Sequence, residues 1–430
     1  MSVLHQQKRT TRLCVALAVA GGMLAIAACG GGSGSGGDGK VTLRVSWWGD
    51  ASRDKITEQA VALFEKQNPN IEIKSSYSDW GSYYDQLTTK VAAGDTPDVF
   101  AIEIRKLGEF ARRDTLADLK GLVNTADLDQ KLLTSGVVDG TQYGIPTGAN
   151  AFAVMANTSV FKKAGVPIPD DSSWTWEDYQ KVSAELGAAG GSGIYGTQLN
   201  FNDAFLKVFA AQHGEPLYKD GKFGVSAGTL ADWFQLSVDM IKAKGSPDAN
   251  LSNELGSDSI EQSLIGTNKG GMGMYWTNQL SAASTASGGQ IDLLRMPRDA
   301  GATTGGMFLQ PTMFWAVGAH SKQQKAAGKL VDFLVNDPQA AKILGSDRGL
   351  PMNSKVLAEI RDSLPAADQA SLAYVDKVRT TLADSPTAYP NGAADIPDML
   401  QRYGQDVISG HKTPEAAAKA FLKEADSTLS

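Results

Sequence analysis

From Val41 onward two hydrophobic periods alternate, and that alternation limits the folds open to this chain. "VTLRVSW" places Val41, Leu43, Val45 and Trp47 on one face of a strand. The next stretch, about Ser52 to Gln67, carries Ile56, Ala60, Leu63 and Phe64 on one helical face and stops at Asn68-Pro69. "IEIKSSY" alternates again, Tyr83, Leu87 and Val91 recur four apart before Gly94, and "PDVFAIE" is a short apolar strand. "RKLGEFARRDTL" then turns Leu107, Phe110 and Ala111 inward as a helix. Repeated strand–helix–strand units require a mainly parallel sheet covered on both faces. Ligands of such sheets sit beyond the carboxyl ends of the strands. The expected class is α/β.

"VSWWGD" closes the first strand at such an end. Successive side chains point to opposite faces, so if Trp47 belongs to the core face, Trp48 does not. One Trp is expected in the core and one in a cleft, with Trp48 the better candidate for a ligand. An indole face can stack on a sugar ring while polar groups nearby take its hydroxyls. Glu103 and Arg105 follow the buried strand "PDVFAI" and supply an acceptor and donors at a second strand end; the alternative for them is a solvated charge pair. Trp80, between a strand and a helix, has the same two readings as the Trp pair. Asp50 either reaches a ligand or caps the first helix, and Asn150 either reaches a ligand or finishes a turn. Tyr83 is a further candidate contact.

A second unit starts near Ala156. "SWTWEDYQKVSAELGAAG" is a helix capped by Ser173 or Thr175, and Trp174 and Trp176 pack at its start. "GMGMYW" reads as a strand ending in Trp276, "MFWAVGA" as another, and the chain from about Asp362 as mostly helical.

Formal net charge is −7 over 430 residues, with no Lys/Arg cluster in the body of the chain, so nucleic acid is not an expected partner. The length suggests two or three domain-sized units. Lys8, Arg9 and Arg12 precede the apolar run "LCVALAVAGGMLAIAA", an export signal. Its end, Ile26-Ala27-Ala28-Cys29, is similar to a bacterial lipobox, in which Cys29 would carry the lipid. "GGGSGSGGDG" follows as a flexible tether. With Cys14 removed and Cys29 acylated, the mature body has neither thiol nor disulfide. His213, His320 and His411 lack metal spacing, so neither a metal nor a cofactor is expected.

A family likeness then emerges from "FEKQNPNIEI", "DWGSYYDQLTTKVAAGDTPDVF", "YGIPTGANAFAVMANTSVFKKAGV" and "WTWEDY". It continues through "GGMGMYWTNQL", "GGMFLQPTMFWAVGAHSKQQKAAGKLVDFLVNDPQAAKILGSDRGLP" and "HKTPEAAAKAFLKEA". Together these resemble the carbohydrate-binding lipoproteins of bacterial ABC importers, the extracellular solute-binding proteins related to maltose-binding protein. The resemblance implies a two-lobe periplasmic-binding-protein-like fold with hinge strands and a ligand cleft between lobes. It places the leader at 1–28, the tether at 29–40, lobe one at 41–149 and 307–350, and lobe two at 156–306 and 351–430. By the same likeness, Asn202 and Asp203 line the cleft from lobe two, and Trp276 with Asn278 forms a sugar platform. Gly306, beside Met307, permits close backbone approach near the hinge. Arg348 in "DRGLP" is either a site donor or a salt bridge holding the turn.

The implied protein is a monomeric receptor, lipid-anchored on the extracytoplasmic face of the cell membrane. It would bind a neutral mono- or oligosaccharide, deliver it to membrane ABC permease subunits and catalyse nothing. Two other classes stay open. A secreted carbohydrate-active enzyme would need two carboxylates flanking the scissile bond, and a receptor for a charged solute would use helix N-termini and basic residues.

Overall fold

The computed structural model describes residues 40–256, 259–383 and 389–429. The expected leader, Cys29 and all but the last residue of the tether lie outside the described residues. The described chain is built on two five-stranded sheets. In the first, the order is Ile71–Ser78, Val41–Trp48, Val99–Ile102, Phe314–Val317, Ile145–Pro146. Its first three strands are parallel and the last two run antiparallel to their neighbours. In the second, Ile291–Leu294, Ala149–Asn157, Gly270–Trp276 and Tyr195–Thr197 lie in that order, and Leu309–Pro311 also pairs with Ala149–Asn157.

Helices pack on the first sheet, and its strands Val99–Ile102 and Phe314–Val317 are buried on both sides, whereas the edge strand Ile71–Ser78 stays largely exposed. Asp50 caps Ala51–Gln67 by accepting from the Arg53 N–H at 2.8 Å, and Asp79 caps Trp80–Ala92 through Ser82 N–H at 3.1 Å. Cover on both faces also changes the expectation for the Trp pair. Trp47 is 0% and Trp48 7% exposed. Trp48 lies beneath Tyr83 and Tyr84, with ring centroids 5.4 and 5.7 Å away, so it does not open into a cleft. Tyr83 is core as well, and its hydroxyl donates to the Ala101 carbonyl at 2.8 Å.

The chain passes between sheets where Ile145–Pro146 leads into Ala149–Asn157, and returns where Leu309–Pro311 leads into Phe314–Val317. These crossings run side by side, pairing Ala151 with Leu309 and Asn150 with Gln310. Past residue 350 the chain continues beside the first sheet. The helix Ser354–Ile360 packs on Pro338–Leu344, beside the first sheet. Asn353 caps that helix and donates to Asn336 Oδ1 at 2.8 Å. Only from Ala366–Val378 does the chain pack on Ile291–Leu294 of the second sheet. There Asp171 is clamped by Lys377 Nζ at 2.6 Å and by the Arg295 backbone N–H at 2.7 Å.

Candidate functional site

Two helix starts meet beside the crossing strands. Ile104–Arg112 follows the Val99–Ile102 strand, and Arg105 sits in its first turn. Asp203 opens the helix Asp203–Gln212, which Asn202 caps by accepting from the Phe205 N–H at 2.8 Å. Arg105 Nη2 donates to both Asp203 oxygens at 2.9 and 3.0 Å, and its Nη1 lies 3.3 Å from Glu103 Oε2. A carboxylate at a helix N-terminus is favoured by the dipole and a cation there is not. Arg105 therefore depends on its two acidic partners. Burial pulls its guanidinium down, yet Asp203 and Glu103 together hold it above its ordinary value. Burial raises Glu103, and Arg105 opposes that rise. The structure thus brings Glu103, Arg105 and Asp203 into one ion chain between elements of the two sheets.

One turn after Asp203, Lys207 holds its Nζ 3.7 Å from the centroid of the buried Phe308 ring. Among the described residues this nitrogen is buried without a hydrogen-bond partner. Burial lowers the amine to about 7, offset in part by Asp203. Gly306 makes this contact possible. Its φ is +68°, and a Cβ there would stand 2.2 Å from the Val208 carbonyl oxygen, so only glycine lets the helix lie so close. Tyr218 and Tyr389 complete the cluster with rings 4.8 Å apart, and the Tyr389 hydroxyl faces Gln310 Oε1 at 3.4 Å.

Phe308 leads to Trp276, whose ring is edge-on to Phe308 at 6.0 Å and to Phe152 at 5.1 Å. Half-buried Trp276 lines a cavity of about 240 Å³ with Asn202, Asn200, Gln198, Gln279 and Gln401. An aromatic wall ringed by amides offers ring-stacking together with paired donors and acceptors.

The other expected contacts disperse. Trp80 is 53% exposed and meets the Tyr84 ring at 5.6 Å, so its face remains available. Asp50 is the helix cap. Asn150 donates to Thr312 Oγ1 at 3.0 Å across the paired crossings. Met307 is buried core, and Asn278 lies half-buried in the turn Thr277–Gln279. Arg348 is buried over the Trp315 ring, donates to Thr57 Oγ1 at 2.8 Å, and leaves Nε and Nη1 without hydrogen bonds among the described residues. Burial, reinforced by Arg53, lowers it to about 10. Arg53 rather than Arg348 makes the close bridge to Asp347, at 2.7 Å. Lys207, Tyr218, Tyr389 and Phe308 were not anticipated from the sequence. The available signal was a single lysine inside the otherwise apolar "AFLKVFAA", because a helix apolar all round is a buried one.

The sequence profile of the family described as bacterial extracellular solute-binding protein matches residues 49–341. Over 433 residues the chain is 26% identical to the diacetylchitobiose binding protein of Streptomyces coelicolor, spanning 97% of this chain and 98% of that protein. An uncharacterized lipoprotein of Streptomyces antibioticus is 26% identical over 405 residues, 88% of this chain and 85% of its own. Among solved structures, a periplasmic oligogalacturonide binding protein from Yersinia enterocolitica, in complex with saturated digalacturonic acid, superposes with a TM-score of 0.79. That match covers 90% of this chain and 98% of the other at 24% identity, and it speaks for a common fold.

Proposed function

The chain belongs to the bacterial extracellular solute-binding protein family, and from that premise we propose that it is a lipid-anchored receptor for a mono- or oligosaccharide. On this reading it holds its ligand between two lobes on the extracytoplasmic face of the membrane and passes it unchanged to an ABC import permease. The observation that carries the reading is the Glu103–Arg105–Asp203 chain, which joins elements of the two sheets at the helix whose cap, Asn202, lines the cavity walled by Trp276. The diacetylchitobiose binding protein, similar over almost the whole chain, supports a saccharide as ligand. The Streptomyces antibioticus lipoprotein, with the "IAAC" stretch, supports an anchor at Cys29. We take the third lobe crossing to fall after about residue 363, since Ser354–Ile360 packs beside the first sheet.

A glycosidase would keep two carboxylates on either side of the bond it breaks. Here Glu103 and Asp203 are both engaged by one guanidinium, which favours binding over hydrolysis. The test is a thermal-shift screen of the purified mature protein against saccharides, amino acids and polyamines. Ligand bound only by the folded state raises the melting temperature in step with its concentration over Kd. Stabilisation by a saccharide, recovered unchanged after prolonged incubation, is expected. Stabilisation confined to amino acids or polyamines contradicts the reading. Loss of uptake of that saccharide in cells lacking the protein would tie it to import.

A further inference from the structure

The polar groups left unmatched around Asp203 are Lys207 Nζ, Arg105 Nε and the Tyr218 hydroxyl, all inaccessible to solvent and without hydrogen-bond partners among the described residues. No carboxylate or carbonyl oxygen of this cluster is among them. Both Asp203 oxygens already accept from Arg105, and so does one Glu103 oxygen. The Phe308 ring beneath Lys207 offers a π face but no lone pair. A buried donor left unsatisfied is costly, whereas a site is satisfied by the group that supplies what it lacks. A sugar hydroxyl brings a donor as well as an acceptor, and that donor would be left to the Tyr218 hydroxyl, the second Glu103 oxygen or an oxygen already shared with Arg105. An ionised carboxylate brings acceptors alone.

We propose that the Asp203 cluster is a subsite for a carboxylate-bearing sugar, with Lys207 and Arg105 Nε as its donors and Trp276 beside it for the ring. This departs from the neutral ligand expected from the sequence, and it rests on the saccharide-receptor reading. Charge count favours a monoanion over a dianion. Glu103, Asp203, Arg105 and Lys207 sum to zero when all are charged, so a carboxylate leaves one net negative charge in the cluster and a phosphate dianion two. Within the cluster Arg105 holds both acids, and a single carboxylate gives Lys207 the partner it lacks. Because burial depresses the Lys207 amine, a carboxylate arriving beside it would be accompanied by a proton from solution.

The experiment is calorimetric titration of the mature protein with matched pairs, galacturonate against galactose and glucuronate against glucose, and the disaccharide of each. Galactose 6-phosphate serves as a dianionic arm. Titrations at pH 8 in buffers of different ionisation enthalpy count protons taken up. We expect a uronate to bind at least about tenfold more tightly than its neutral partner, as removing one partner of a buried charge pair costs that much or more. Proton uptake should accompany it. Lys207→Met should erase both the preference and the uptake; replacing an unpartnered amine by an apolar chain of similar length should leave the apo fold intact, as the apo melt will show. Tyr218→Phe, a milder change, should weaken the uronate without abolishing it. Equal or tighter binding of the neutral partner overturns the carboxylate subsite and leaves the receptor reading standing. Preference for the sugar phosphate overturns the monoanion argument. A preference that survives in Lys207→Met overturns the assignment to Lys207. Failure of every saccharide to bind overturns both readings.

Discussion

Trp276→Ala separates a ligand platform from a packing residue. Trp276 is half-buried and touches the Phe152 and Phe308 rings edge-on at 5.1 and 6.0 Å, while another side faces the amide-lined cavity. Aromatic pairs contribute about 0.5–1.5 kcal/mol each beyond area burial, so losing both contacts should cost the ligand-free fold about 1–3 kcal/mol. Truncating a Trp at the centre of a binding site costs about 2 kcal/mol or more of binding, and about 1.4 kcal/mol is tenfold in Kd. The variant should therefore melt only modestly lower than wild type, yet bind the saccharide more than tenfold more weakly. Calorimetric titration and a urea melt of the apo protein measure the two separately. Unchanged Kd with a stability loss as large as that of a fully buried Trp would show that Trp276 only packs.

Trp47→Ala should destabilise the apo protein by about 3–5 kcal/mol in urea unfolding, as expected for a fully buried indole. Trp48→Ala should fall in the same range, because Tyr83 and Tyr84 cover it. The depressed Lys207 amine predicts a pH dependence with a definite sign. Above about pH 7 the folded state keeps this amine neutral while the unfolded chain still binds the proton, so stability rises with pH toward the ordinary lysine range. Relative to Lys207→Met, wild-type stability should increase by up to about 1.4 kcal/mol per pH unit between pH 7 and 9, measured by urea unfolding. Cys29→Ser should abolish metabolic labelling by a fatty acid and release the protein from membranes, whereas unlabelled wild-type protein would refute the anchor.

The α/β frame was legible because helix and strand periods differ and the segments from Val41 to Arg112 keep them cleanly. Glu103 and Arg105 were legible as residue types at a strand end and Asp203 only through the family likeness, and nothing local showed that one guanidinium would hold both acids. The Trp pair misled because alternation says which face a side chain takes but not that helices cover both faces. Asp50 had a second reading as a helix cap, and the structure adopts it; Asn202, expected only to line the cleft, is a cap as well. The boundary at 350 came from the family likeness alone, whereas the bond from Asn353 to Asn336 that keeps the next helix beside the first sheet is a tertiary contact. Tyr218 and Tyr389 come from distant segments and meet only in the folded chain, so no spacing announces them.

The central claim, that ligand is held where the two sheets' elements meet at Asp203 and Trp276, is tested most directly by amide hydrogen exchange of the mature protein with and without a saturating saccharide. Protection should rise together in residues 103–108, 200–208 and 274–280, which belong to elements of both sheets, and should stay unchanged in Ser354–Ile360 on the far helices of the first. Protection confined to elements of one sheet, or centred away from these segments, would contradict the account.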